Sequence, residues 1–81
     1  HGMGAHPDWP EIINPLRSAL PEAGWETLSI QLPVAPAGSG FSAYMALLPE
    51  SRERIDVALA FLRERVQGPV FMIGHSLGAS M

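Results

Sequence analysis

Residues 70–78 constrain this chain more than any other stretch. Val70-Phe71-Met72-Ile73 is short, continuous and apolar, the pattern of a strand buried on both faces of a parallel sheet. Gly74-His75-Ser76-Leu77-Gly78 follows at once. A strand that stops where a helix starts puts the residue between them on a sharp, strained turn, and only hydrogen-sized side chains fit two residues to either side. Gly74 and Gly78 occupy those positions, and Ser76 sits between them. The Ser76 hydroxyl is then expected to point off the carboxyl end of the sheet, where ligands gather in open α/β folds. The helix that follows would aim backbone N–H groups at the same spot, Leu77 N–H among them, as an oxyanion donor. The Gly-x-Ser-x-Gly spacing alone has a chance of about 0.06 of arising at random in such a chain, so its weight lies in the apolar run and amphipathic helix before it.

That helix is expected over Ser51–Gln67. Ile55, Leu59, Leu62 and Val66 form an apolar stripe with Ala58 between them. Eight of the thirteen Asp, Glu and Arg residues lie between Glu50 and Arg65, the mark of a solvated face. Arg63 and Arg65 suit the negative end of the helix dipole, and Gly68-Pro69 ends the element. Earlier in the chain, Asp8 and Glu11 have the spacing of a capping box, and Ile12, Ile13, Leu16 and Leu20 share one helical face. Pro15 either kinks that helix or marks a later start with Asn14 as its cap; Pro21 and Gly24 close it. The expected span is about 10–22. Between the helices, Trp25–Leu32 alternates Leu28, Ile30 and Leu32 with Ser29 and Gln31, the period of a half-buried strand. Residues 33–49, with three prolines and two glycines, read as a long loop. Phe41, Tyr44 and Met45 either pin it to the body or line a substrate cleft. The order of elements gives an α/β class.

Composition narrows the function. A net charge of −3 with no lysine argues against a nucleic-acid surface. No apolar run approaches the ~20 residues needed to span a bilayer, and no charged-then-apolar leader is present. With 81 residues and no cysteine, the chain holds at most one domain and no disulfide. It opens on His1 and closes on Met81 just after the glycine- and serine-rich turn, so both ends read as cut. Compartment and oligomeric state stay open.

His1-Gly2-Met3-Gly4 resembles the His-Gly loop that ends the third strand of α/β-hydrolases. The whole chain resembles the middle of such a domain, from oxyanion loop to nucleophile elbow. The segments H-G-M-G-A-H-P-D-W-P and G-W-E-T-L-S-I-Q-L-P are also similar to a bacterial α/β-hydrolase subfamily with no assigned function. The resemblance implies part of a doubly wound, mostly parallel sheet, with strands at about 25–32 and 70–74 and helices at about 10–22, 51–67 and from 77. It implies Ser76 as nucleophile and the N–H groups of Met3 and Leu77 as oxyanion donors. His1, Gly2, Gly74, His75 and Gly78 would support them. The family's chain order is nucleophile, acid, histidine. His1, His6, His75, Asp8 and Asp56 all precede Ser76, so the triad partners would lie beyond Met81. The family's third strand would fall before His1, leaving 25–32 and 70–73 as second neighbours about 9.5 Å apart around an empty slot. A fragment of that kind should be poorly stable and inactive alone.

The leading expectation is thus a serine hydrolase of the esterase, lipase or thioesterase kind, acting on a small-molecule or lipid-like acyl substrate without metal or organic cofactor. Acyl transfer, or ligand binding without catalysis, keeps the same fold. A small, complete α/β interaction domain with a merely tight turn is the remaining reading. A metal site at His1, His6 and Asp8 is the weaker account of those side chains.

Overall fold

The computed structural model describes all 81 residues as a small helical domain. Helix α1 spans Ile13–Ala19 and runs into a 3₁₀ turn at Leu20–Ala23. Helix α2 spans Phe41–Met45, α3 Leu48–Arg65 and α4 Leu77–Ser80. Helix makes up 47% of the chain and there is no strand. The expected α/β class, with its doubly wound sheet and strands at 25–32 and 70–74, is therefore corrected.

The reason lies in what the alternating segment bonds to. Its polar positions turn toward the N-terminal part of the chain. Thr27 Oγ1 donates to the Arg17 carbonyl, Ser29 Oγ to the Pro7 carbonyl, and the Gln31 amide meets the His1 imidazole. Its apolar positions, Leu28, Ile30 and Leu32, face the other way, into a groove of about 470 Å³ shared with Ile55, Leu59 and Leu62 of α3. The two-residue period is real, but period reports facing, not pairing. No backbone hydrogen bond joins 25–32 to 70–73. The two segments meet through the edge-on contact of Trp25 and Phe71, 5.5 Å between ring centres.

The helices form near their expected places, with shifted ends. Helix α1 starts at Ile13, and no side chain caps it. Pro15 falls in its first turn, where a missing N–H costs nothing. Asp8 makes no capping box; its carboxylate accepts from Asn14 Nδ2 at 3.0 Å and from Arg17 Nη1 at 2.9 Å, clamping the helix from outside. Gly24 ends the 3₁₀ turn at φ +91°, a left-handed conformation that glycine takes without strain. Helix α3 begins three residues before Ser51 because Pro49 is also at home in a first turn, and it ends at Arg65. Its apolar stripe is half-buried and its charged residues are mostly exposed.

The 33–49 segment is not all loop, since it carries α2. Tyr44, only 4% exposed, packs with Ala35 and Leu77, and Ala43, Met45, Leu47 and Met81 surround them. Tyr44 and Met45 thus pin the segment to the body, whereas Phe41 stays exposed. This cluster seats α4, and with it the turn at Ser76. Buried Ser51 donates from Oγ to the Leu47 carbonyl at 3.0 Å, with Met81 Sδ 3.2 Å away.

The molecule is a slab measuring 39 × 26 × 15 Å, with a radius of gyration of 13.4 Å. A compact domain of this length comes to about 12 Å. A layer that thin buries little, and Phe71, Met72 and Ile73 remain 68%, 71% and 66% exposed. Burial is the main force opposing chain entropy. The isolated 81-residue chain should therefore bind a hydrophobic dye and melt over a broad range; a sharp, single melting transition without dye binding would contradict this.

Asp8 supplies a second test. The Asn14 hydrogen bond, then the Arg17 hydrogen bond and charge, hold its carboxyl below the usual carboxylate range. A carboxyl whose folded pKa is depressed adds stability above its unfolded pKa and loses it as pH falls through the folded value. Amide protection in α1 should fall as pH drops through that range, and Asp8→Asn should abolish the pH dependence.

Candidate functional site

Ser76 is the only non-glycine residue with positive φ. Its φ of +54° and ψ of −124° are those of the first central residue of a type II′ turn, a position that favours glycine. The turn is closed by Gly78 N–H donating to the His75 carbonyl at 3.0 Å. Ala79 N–H then donates to the Ser76 carbonyl at 3.0 Å, and α4 begins. A serine held there stores about 1–3 kcal/mol of strain. Its hydroxyl is exposed and makes no hydrogen bond within the chain.

The flanking glycines are required, for reasons more specific than crowding around the serine. A Cβ on Gly74 would lie 2.6 Å from Ala79 Cα and 2.9 Å from its nitrogen, inside the backbone of α4. A Cβ on Gly78 would lie 2.7 Å from both the nitrogen and the carbonyl oxygen of His1. Gly78 therefore makes room for the N-terminal loop. That loop reaches the serine directly, since a Cβ on Gly2 would sit 3.6 Å from Ser76 Cβ and 3.7 Å from Oγ. The His-Gly loop and the serine turn, more than seventy residues apart in sequence, are in contact.

The loop itself is held by the His1 imidazole. Leu32 N–H donates to His1 Nε2 at 3.0 Å. An N–H can only donate, so Nε2 is the acceptor and Nδ1 carries the proton of the neutral ring. Nδ1 then donates to the Gly2 carbonyl at 3.0 Å. Ala5 N–H reaches the same oxygen at 3.2 Å. Neither Met3 N–H nor Leu77 N–H has an acceptor within the chain, so both donors are free. His75 lies over Gly2, its Nδ1 3.9 Å from where a Gly2 Cβ would be, and its side chain makes no hydrogen bond. His6 and Asp8 are engaged elsewhere. Asp8 N–H donates to His6 Nδ1 at 3.2 Å, Trp9 meets the His6 ring edge-on, and no three His, Asp or Glu side chains converge as a metal site.

Sequence reading missed two groups that serve the site. Gln31 and Arg54 read as a polar strand position and a helix-surface charge, and no spacing rule links them to His1. Tyr44 reads either as a loop anchor or as part of a cleft, and its packing against Leu77 follows only from the folded path of residues 33–49.

Fold and site together define a small helical domain that presents a serine on a strained turn beside a His-Gly loop. Residues 1–52 match a family described as "Protein of unknown function (DUF3530)", and the chain belongs to that family. The matched region contains the His-Gly loop and Leu32 but ends before Arg54 and Ser76. No curated protein and no solved structure matches the chain. No helix is long and apolar enough to cross a membrane.

Two substitutions test the turn. Ser76→Gly should relieve about 1 kcal/mol of strain and slow hydrogen exchange at the Gly78 and Ala79 amides several-fold. Gly74→Ala should push α4 aside and accelerate the same amides. Equal exchange in all three proteins would show that the turn is not strained.

Proposed function

We propose that this chain carries the nucleophile and oxyanion donors of a serine hydrolase acting on esters, thioesters or amides. The observation that carries the reading is Gly2 lying against the exposed, hydrogen-bond-free Ser76 hydroxyl. The support is local: a serine at positive φ, and two loops similar to those of α/β-hydrolases, on a chain whose own fold is helical. In the reaction Ser76 Oγ attacks the carbonyl carbon and its proton passes to a histidine base. The carbonyl electron pair moves onto oxygen, where the N–H groups of Met3 and Leu77 hold the developing charge. Collapse expels the alcohol, thiol or amine, which takes its proton from the base. Water then releases the acyl group by the same route. Leu77 N–H follows directly from the turn, and Met3 N–H is next to the glycine that touches the serine.

One observation favours a second reading, an acyl-binding or acyl-transfer protein. Ser76 has no base within hydrogen-bond reach among these residues, and the chain's three histidines all precede it. The hydrolase reading draws its histidine and carboxylate from outside these residues, so the test belongs on the full-length gene product. A fluorophosphonate probe should label the wild type, and Ser76→Ala should lose at least 99% of that labelling, in line with the loss expected for a nucleophile. A folded wild type that takes no label would select the binding reading instead.

A further inference from the structure

Arg54 stands on the half-buried side of α3, four residues after Glu50, and its Nη2 donates to Glu50 Oε1 at 2.6 Å. Such exposed pairs add little to stability. The other arm of the guanidinium leaves the helix. Nη1 donates to the Gln31 carbonyl oxygen at 2.7 Å. That oxygen belongs to the same amide group as Leu32 N–H, which donates to His1 Nε2. A cation on the oxygen of an amide draws electron density from its nitrogen and makes the N–H a stronger donor.

We propose that Arg54 is a positioning residue for the His1–Met3 oxyanion loop, acting through the Gln31–Leu32 amide and the His1 imidazole. The proposal rests on the hydrolase reading for its catalytic consequence, but its first link is independent of it. The chain of bonds runs from Glu50 through Arg54 to the Gln31 carbonyl, and from Leu32 N–H through the His1 ring to the Gly2 carbonyl. Each bond fixes the direction of the next. Leu32 N–H commits Nε2 as acceptor, and Arg54 holds the amide that presents that N–H to the ring. The proton is thereby kept on Nδ1, where it can hold Gly2 O. The peptide between Gly2 and Met3 is planar and trans, so fixing its oxygen points Met3 N–H the opposite way. The free Met3 donor is thus aimed by a side chain on a helix more than fifty residues away in sequence.

Gln31 supports the same arrangement. Its Nε2 donates to the Leu32 carbonyl at 2.8 Å and lies 3.0 Å from His1 Nε2. Arg54 and His1 thus hold the 31–32 amide by its oxygen and its N–H, Gln31 holds the carbonyl of the next peptide group, and Leu32 itself is buried. Neither Glu50 nor Arg54 is placed to touch a substrate at Ser76 by any contact in the structure, so their action is indirect.

The test uses the full-length gene product and two readouts. In the first, the imidazole nitrogens of His1 are followed by ¹⁵N NMR. Wild type should show a neutral ring protonated at Nδ1 alone; Arg54→Met should give a mixture of the two neutral tautomers. Arg54→Lys, which can still reach the Gln31 oxygen with one N–H, should restore most of the wild-type spectrum. In the second, Arg54→Met should lower kcat for acylation about tenfold with KM unchanged, as expected for a loosened oxyanion donor. The helical circular-dichroism signal of α3 should be the same in all variants. An unchanged His1 spectrum in Arg54→Met overturns the relay. A changed spectrum with unchanged kcat overturns the positioning role. A wild type without any acylation overturns the hydrolase reading and the positioning role with it, while the spectrum still decides the relay.

Discussion

The His1 imidazole is the contact on which the arrangement depends. One ring joins three separate parts of the chain: the N-terminal loop through the Gly2 carbonyl, the 25–32 segment through Leu32 N–H, and, through the same amide, helix α3. Gly78 is bare of side chain where the His1 backbone passes over α4. Without that passage, the loop and the serine turn would be two unrelated features of a thin slab. With it, a free N–H at Met3 and another at Leu77 stand on the loop and the turn that meet at Gly2 and Ser76.

Strain and support divide the work at the turn. Ser76 holds a conformation that glycine prefers, so something must hold it in place. The Gly78 and Ala79 hydrogen bonds do so locally, and the packing of Tyr44 and Ala35 on Leu77 does so from the far side. Helix α2, folded from the proline- and glycine-rich stretch, thus becomes a buttress for the turn. The Ser76 side chain is exposed and beside Gly2. Access for a substrate and nearness to the loop that carries Met3 N–H are the physical basis of the proposed function, and a base remains to be supplied.

Much of this was legible in the sequence, and the rest was hidden for identifiable reasons. Helices near 10–22 and 51–67 and from 77 follow from apolar spacing and from glycine and proline punctuation, with ends displaced because Pro15 and Pro49 are tolerated in first turns. The turn at Ser76 is written in its two glycines. The sheet was the wrong inference. Leu28, Ile30 and Leu32 do share a face, as their alternation says, but they face α3 across a groove, and Thr27, Ser29 and Gln31 spend their hydrogen bonds on the N-terminal region. Alternation carries no information about whether a partner strand is present. Capping fails for a similar reason: Asp8 and Glu11 have the right spacing, but the Asp8 carboxylate is taken by Asn14 and Arg17. The relay from Arg54 to His1 could not be read at all, because it passes through a backbone amide that no residue pattern marks.

Everything proposed for the site requires that the His-Gly loop and the serine turn are in contact. The most direct measurement is a nuclear Overhauser spectrum of the protein. Cross-peaks are expected between the Gly2 α-protons and the Ser76 β-protons, because a Cβ at Gly2 would be in van der Waals contact with Ser76 Cβ. Absence of those cross-peaks, in a spectrum that does show the Ser76–Ala79 contacts of the turn, would contradict it.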